Sequence, residues 1–293
     1  MKALFFLASL ILLTSSLSFA EELVVRYNPS MSEKDFRSAY FVSLLGLALE
    51  KTRATYGPFR LEKGKESMFQ SRAIRELHKG QRIDVFWTMT SVERENQLLP
   101  IRIPLLKGLL GYRIFIIRRE DETKFRSITD ISEFKELVAG QGTDWPDTKI
   151  LRANNIDVVT SPVYDGLFMM LHKKRFDYFP RGINEIWQEV EFHHDKELIV
   201  ESSKILYYPA PIYFFVSPQN NALANRIEKG LALARLDGSF DRLFYSYPAH
   251  QKIFDRGKLE HRQVIILDNP LLPEHTPLDK KELWLELIPL SEN

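Results

Sequence analysis

The segment LHKGQRIDVFW, from Leu77 to Trp87, returns in altered form as LHKKRFDYFP, from Leu171 to Pro180. Each copy reads as the last turn of a helix carrying Leu-His-Lys, a tight basic turn, then a short apolar strand with Asp as its second residue. A helix, turn and strand unit met twice at such a separation predicts two similar lobes. Length agrees, since 293 residues exceed the roughly 100 to 150 of a single domain.

Residues 1 to 20 hold one cation, Lys2, an apolar run from Ala3 to Leu13 broken only by Ser9, and small residues at Ser18 and Ala20. That is the pattern of a secretory signal peptide, with cleavage expected after Ala20. The run is too short for a membrane span, which takes about 20 apolar residues. The processed chain is therefore expected in the periplasm, without stable membrane insertion. The chain has no Cys, which excludes disulfides, thiolate metal sites and anchoring through a lipid-modified Cys. Forty basic and 39 acidic residues create no global field that would recruit nucleic acid or a membrane surface.

Glu22 to Tyr27 reads as a strand stopped by Asn28-Pro29. From Phe36 to Lys51 apolar residues recur at helical spacing after a cap at Ser32, and Tyr56-Gly57-Pro58 ends that helix. A strand from Phe59 to Leu61, a helix from Met68 to His78 closed by Gly80, and a strand from Ile83 to Thr88 follow. The second half repeats the scheme with a strand Tyr112 to Arg118, a helix Ile131 to Leu137, a Gly-rich junction at 140 to 143, and a helix near Asp147 to Asn154. It continues with a strand Ile156 to Thr160, a helix Tyr164 to His172 and a strand Phe176 to Phe179. Leu206 to Val216 is extended, Ala222 to Leu236 and Phe240 to Tyr245 are helical, and Arg256 to Asn293, with four prolines, reads as an irregular tail. Such alternation predicts parallel sheets with right-handed crossovers and ligands at the carboxyl ends of strands.

Four stretches, in this order and spacing, resemble one known family: the Leu77 to Val85 repeat, TSVERENQLLPIRIPL from Thr90, SITDISEFKELVAGQGTDW from Ser127, and NRIEKGLALARLDGSFDRLFYSY from Asn225. They are similar to periplasmic solute-binding proteins of the class II fold, closest to the family 3 proteins that bind amino acids for ABC transporters, over Leu23 to about Tyr247. The resemblance implies an α/β, two-lobed fold in which each lobe is a mostly parallel sheet flanked by helices. It implies two hinge crossings, near Lys107 to Gly111 and Leu206 to Pro211. Lobe one would comprise 21–108 and 209–255, lobe two 109–208, with 256–293 as a tail packed on lobe one. The implied function is binding of a small solute for transport or sensing, without catalysis and without a cofactor. The expected partners are that solute and an ABC permease or a sensor, the chain itself being a monomer.

Candidate ligand-binding residues follow from the strand ends. Thr88, Thr90, Ser91 and Arg94 gather hydroxyls and a guanidinium after the first repeat, and a planar guanidinium matches a carboxylate with two parallel hydrogen bonds. By resemblance, Ser91 and Arg94 take the ligand carboxylate. Gly142-Thr143 is read as opening a helix, where free backbone N-H groups could receive an anion, and the family uses Gly-Thr similarly. Tyr27, Trp87 and Trp145 lie at neighbouring strand ends and could wall the pocket, or serve the core.

Departures from the family pattern bear on the ligand. The acid that holds an amino acid's ammonium is expected five positions after Asp177, where Gly182 stands, preceded by Arg181. Arg102 occupies the stretch where a ligand-bonding Ser is usual. Two cations in the cleft without a matching acid would favour an anionic or carboxylate-bearing solute. Asp177 and Asp84 are read as structural. His193-His194-Asp195 lacks a third convergent ligand and is read as a solvated loop, not a zinc site. Gly140-Gln141-Gly142 lacks the third Gly of a dinucleotide motif. Competing readings are a periplasmic enzyme on the same fold, cyclohexadienyl dehydratase-like, with Glu93, Asp144 or Glu185 as acid or base, and a ligand-free sensory or interaction module.

Overall fold

A computed structural model describes residues 21–30 and 37–289. The signal-peptide segment, the cap at Ser32 and the helix start at Phe36 lie outside the described residues. The strands are β1 Leu23–Tyr27, β2 Phe59–Lys63, β3 Phe86–Met89, β4 Leu99–Ile101, β5 Tyr112–Arg118, β6 Ala139–Gly142, β7 Val158–Ser161, β8 Phe179–Gly182, β9 Leu198–Val200, β10 Lys204–Tyr207, β11 Ile212–Val216 and β12 Gln263–Ile266.

They form two sheet systems with one topology. In the first, β1 pairs β2 in parallel, Tyr27 bridges Val85 just ahead of β3, and β11 lies antiparallel between β3 and β4. In the second, β6 pairs β7 in parallel, Ala139 bridges Tyr178 just ahead of β8, and β5 lies antiparallel between β8 and β9. The orders are thus β2-β1-β3-β11-β4 and β7-β6-β8-β5-β9. Parallel pairing arises where a helix intervenes. The strands β5 and β11 are reached directly from a crossing between the systems, so they run against their neighbours and both sheets are mixed.

The repeated motif is the joint of each system. Asp84 accepts the backbone N-H of Arg26 at 2.8 Å, and its own N-H donates to Arg26 O at 2.8 Å. Asp177 accepts the N-H of Val138 at 2.9 Å and donates to Val138 O at 2.8 Å. Each carboxylate therefore locks the residue before the bridged pair. The preceding turns also correspond, with Gly80 and Lys174 both left-handed, at φ 64° and 57°. The first copy then inserts one residue, Arg82, also at positive φ.

Core strands carry the expected burial. Ile114, Phe115, Ile116 and Ile117 of β5 are all fully buried, so both faces of that strand are covered. The two crossings lie side by side, where Tyr208 N-H donates to Gly111 O at 3.3 Å beside the Leu206 and Arg113 pairing. The segment from Arg256 departs from the expected irregular tail on lobe one, because it adds a strand to the second system. Pro248–Arg256 is a helix, and β12 adds in parallel to β10, at the edge of the second system. The β-branched run Val264 to Ile266 and the open edge of β10 explain that pairing. Further on, Leu271 O accepts from Val92 N-H of the first system, and Leu285 N-H donates to Lys107 O at a crossing.

Candidate ligand-binding site

A cavity of about 280 Å³ opens where the two systems meet. Its walls are built from residues at or just after the carboxyl ends of β1, β3, β6, β7 and β8: Asn28 to Ser30, Thr88, Gly142 to Asp147, Ser161 to Asp165, and Arg181. This is where a parallel arrangement places ligands, and its size suits a small solute.

Aromatic rings form much of the wall. Trp87 stacks on Phe41 with centroids 5.5 Å apart, and Tyr27 packs behind it at 6.0 Å without lining the cavity. Trp145 lies parallel to Phe179 at 6.2 Å, and its indole seats against Gly142, where an added Cβ would meet the ring at 2.5 Å. Gly140 likewise makes room for Phe176. These two glycines, read as a junction before a helix, in fact belong to β6. Thr143 N-H donates to Ser161 O at 3.1 Å and the helix starts at Pro146, which has no N-H. The anion-receiving amide expected at Gly142-Thr143 is therefore spent at Thr143, whose exposed residue still borders the cavity.

The cations are held by the protein itself. Arg181 is 2% exposed, donates from Nε and NH2 to Glu189 at 2.8 and 2.7 Å, and forms an ion pair with Glu185 at 2.8 Å. Burial lowers its pKa, but the carboxylates of Glu185 and Glu189 outweigh that and hold it above the ordinary guanidinium value. The expectation of two cleft cations without a matching acid is thus corrected. The acids come from the loop and the helix Ile186–Phe192 just downstream, an element the periodicity did not reveal. Arg113 of β5, missed in the sequence, also lines the cavity and pairs with Asp147 at 2.6 Å, while Tyr208 donates its hydroxyl to the same carboxylate. Its signal was a charged residue on the near side of the apolar run Ile114 to Ile117.

Arg94 stands behind the wall. Ser91 caps its short helix by accepting Arg94 N-H at 3.2 Å. The guanidinium donates to Thr88 Oγ1 at 2.6 Å, Met89 O at 2.7 Å, Gln70 Oε1 at 2.8 Å and, from the other system, Asp144 O at 3.4 Å. Burial pushes its pKa down to about 10, against the raising effect of Asp147, Glu93 and Asp144. Thr90 and Arg102 meet at Glu95, at 2.7 Å and 3.0 Å, and neither lines the cavity. Of the residues singled out in the sequence, Thr88, Trp87, Gly142, Thr143, Trp145 and Arg181 line it; Ser91, Arg94, Thr90, Arg102 and Tyr27 do not.

Two further contacts cross between the systems. Ser71 Oγ donates to Asp144 at 2.6 Å, and Lys149 pairs with Glu93 at 2.8 Å. The hydrogen bond from Lys149 holds the Glu93 carboxyl below its ordinary range, the opposite of what a general acid needs at neutral pH, and Glu93 does not line the cavity. Among the described residues no group of three or more His, Cys, Asp or Glu could hold a metal ion. His193 stacks on Phe168 at 3.8 Å, His194 bonds Glu191 O, and Asp195 pairs with Lys196. No described helix is long and apolar enough to cross a membrane.

No family model matches the chain, and no curated protein matches it. Solved structures do. The Salmonella typhimurium periplasmic binding protein of high arginine specificity is 12% identical, with a TM-score of 0.57 over 77% of this chain and 99% of that one. The binding component of an ABC transporter from Wolinella succinogenes, complexed with lysine, is 15% identical, with 0.57 over 80% and 99%. A histidine kinase sensor domain similar to periplasmic binding proteins is 17% identical, with 0.57 over 78% and 97%. The chain thus has the α/β fold of periplasmic solute-binding proteins.

Proposed function

We propose that this chain is an exported, monomeric binding protein that closes two lobes, 21–108 with 209–255 and 109–208, over a small carboxylate-bearing solute, performs no chemistry on it, and hands the closed state to a permease or a sensor. The observation that carries this reading is the cavity at the carboxyl ends of strands from both sheet systems, bridged by Ser71, Arg94 and Lys149. The solute's carboxylate turns towards Arg94 by replacing Asp144 O, the longest of that guanidinium's four hydrogen bonds. Charged hydrogen bonds of about 1.5–3 kcal/mol each would supply much of the roughly 8 kcal/mol of a micromolar ligand.

A purely anionic solute is disfavoured by the walls, where Asp144, Asp147, Asp165 and Glu185 outnumber Arg113 and Arg181. Arginine, lysine and glutamine head the probe set, because solved neighbours hold them, with glutamate as the anionic contrast. Trp87 and Trp145 line the cavity, so tryptophan fluorescence and calorimetry should report saturable binding, with the solute recovered unchanged. Failure of every amino acid and small carboxylate to bind, or turnover of any, would sink the reading.

A further inference from the structure

We propose that Asp165 sets the charge preference of the cavity by receiving a positively charged group of the bound solute, away from its carboxylate. This rests on the binding function proposed above and adds the ligand's class, an amino acid or similar acid with a cationic side group.

The inference comes from which carboxylates are already neutralised. Asp147 is paired by Arg113, and Glu185 by Arg181 together with Glu189. Asp144 is exposed, its carboxylate accepts from Ser71, and Arg94 meets its backbone O. Asp165, the second residue of the helix Tyr164–His172, lines the same cavity, and among the described residues it has neither a cation nor a hydrogen-bond donor. Its Oδ1 is buried without a partner. A carboxylate in that condition is costly unless a positive group compensates it. A second unmet group stands on the wall: Arg113, whose side chain is 3% exposed, has a buried Nε with no acceptor. Both residues line the cavity, and although these two atoms are themselves buried, the charges of a solute bearing both signs would offset them.

Helix position gives a competing explanation, because an acid in a first turn is favourable without any ligand. Calorimetry with L-lysine and L-norleucine separates the two, since these share a backbone and differ by the terminal ammonium. Wild type should bind lysine at least tenfold more tightly, equivalent to about 1.4 kcal/mol. Asp165→Asn should bring the two affinities together, and Asp165→Glu should keep the preference for lysine. Should Asp165→Asn fail to fold, the Glu variant and the wild-type ratio carry the test. Equal affinities in wild type, or an unchanged ratio in the Asn variant, overturn the role of Asp165 while leaving the binding function standing. If wild type binds no member of the wider amino-acid and carboxylate panel, the binding function falls and this inference with it.

Discussion

Replacing Glu189 by Ala should destabilise the protein far more than it alters any ligand contact. Glu189 accepts two hydrogen bonds from Arg181, at 2.8 and 2.7 Å, and one from the Tyr164 hydroxyl at 2.7 Å. Its removal leaves a guanidinium that is 2% exposed with Glu185 as its remaining acid. Breaking one side of a buried pair costs about 3–5 kcal/mol. With Glu185 still at 2.8 Å, the lower end, about 3 kcal/mol, is expected. The double variant Arg181→Met with Glu189→Leu should cost less than Glu189→Ala, because the buried cation leaves with its acid. Urea unfolding, with the midpoint read at unchanged slope, measures both. A loss below about 1 kcal/mol for Glu189→Ala, or a double variant less stable than the single, would refute the assignment of Arg181 to the framework.

Two other outcomes follow from buried or strained groups. His250 is 1% exposed, packed against Tyr40, Phe244 and Tyr247, and burial lowers its pKa from 6.5 to about 4. The unfolded chain therefore takes up a proton first, so stability is whole above pH 6.5 and falls as pH drops towards 4, by about 3 kcal/mol in total; melting curves of His250→Phe should lose that acid slope. Lys174 sits at φ 57° where the first copy has Gly80. Lys174→Gly should raise stability by about 0.5–1 kcal/mol, the left-handed penalty less the glycine entropy, and an unchanged or lower melting temperature would contradict the equivalence of the two turns.

What the sequence revealed was local. The repeat was legible because Asp84 and Asp177 each do one short-range task next to a strand, and the strand Tyr112–Arg118 and helix Tyr164–His172 emerged at their expected bounds. What it concealed was decided by distant partners. Gly140 and Gly142 look like loop residues until Phe176 and Trp145 are seen to need their missing side chains. Arg181 looks like a free cation until the helix Ile186–Phe192 brings Glu189 beneath it. Arg94 reads as a ligand clamp from its spacing, and its spacing does not show that Gln70, 24 residues away, and Asp144, 50 residues away, hold its guanidinium until a solute displaces one of them. Asp165 carries no local pattern, and only the accounting of neighbouring pairs sets it apart.

The last segment has a mechanical consequence. Asp268 is fastened to Asn154 of the second system by bonds of 2.8 and 3.0 Å, Asn269 reaches Pro209 O at a crossing, and Leu271 is fastened to Val92 of the first system. Only three peptide units join Asp268 to Leu271, and fully extended they span about 10 Å. While both fastenings hold, that short tether is a stop on how far the faces around Val92 and Asn154 can part. A wider gape must first pull those bonds free, so the amplitude of any opening is set from outside the cleft, by a stretch of chain that touches no ligand.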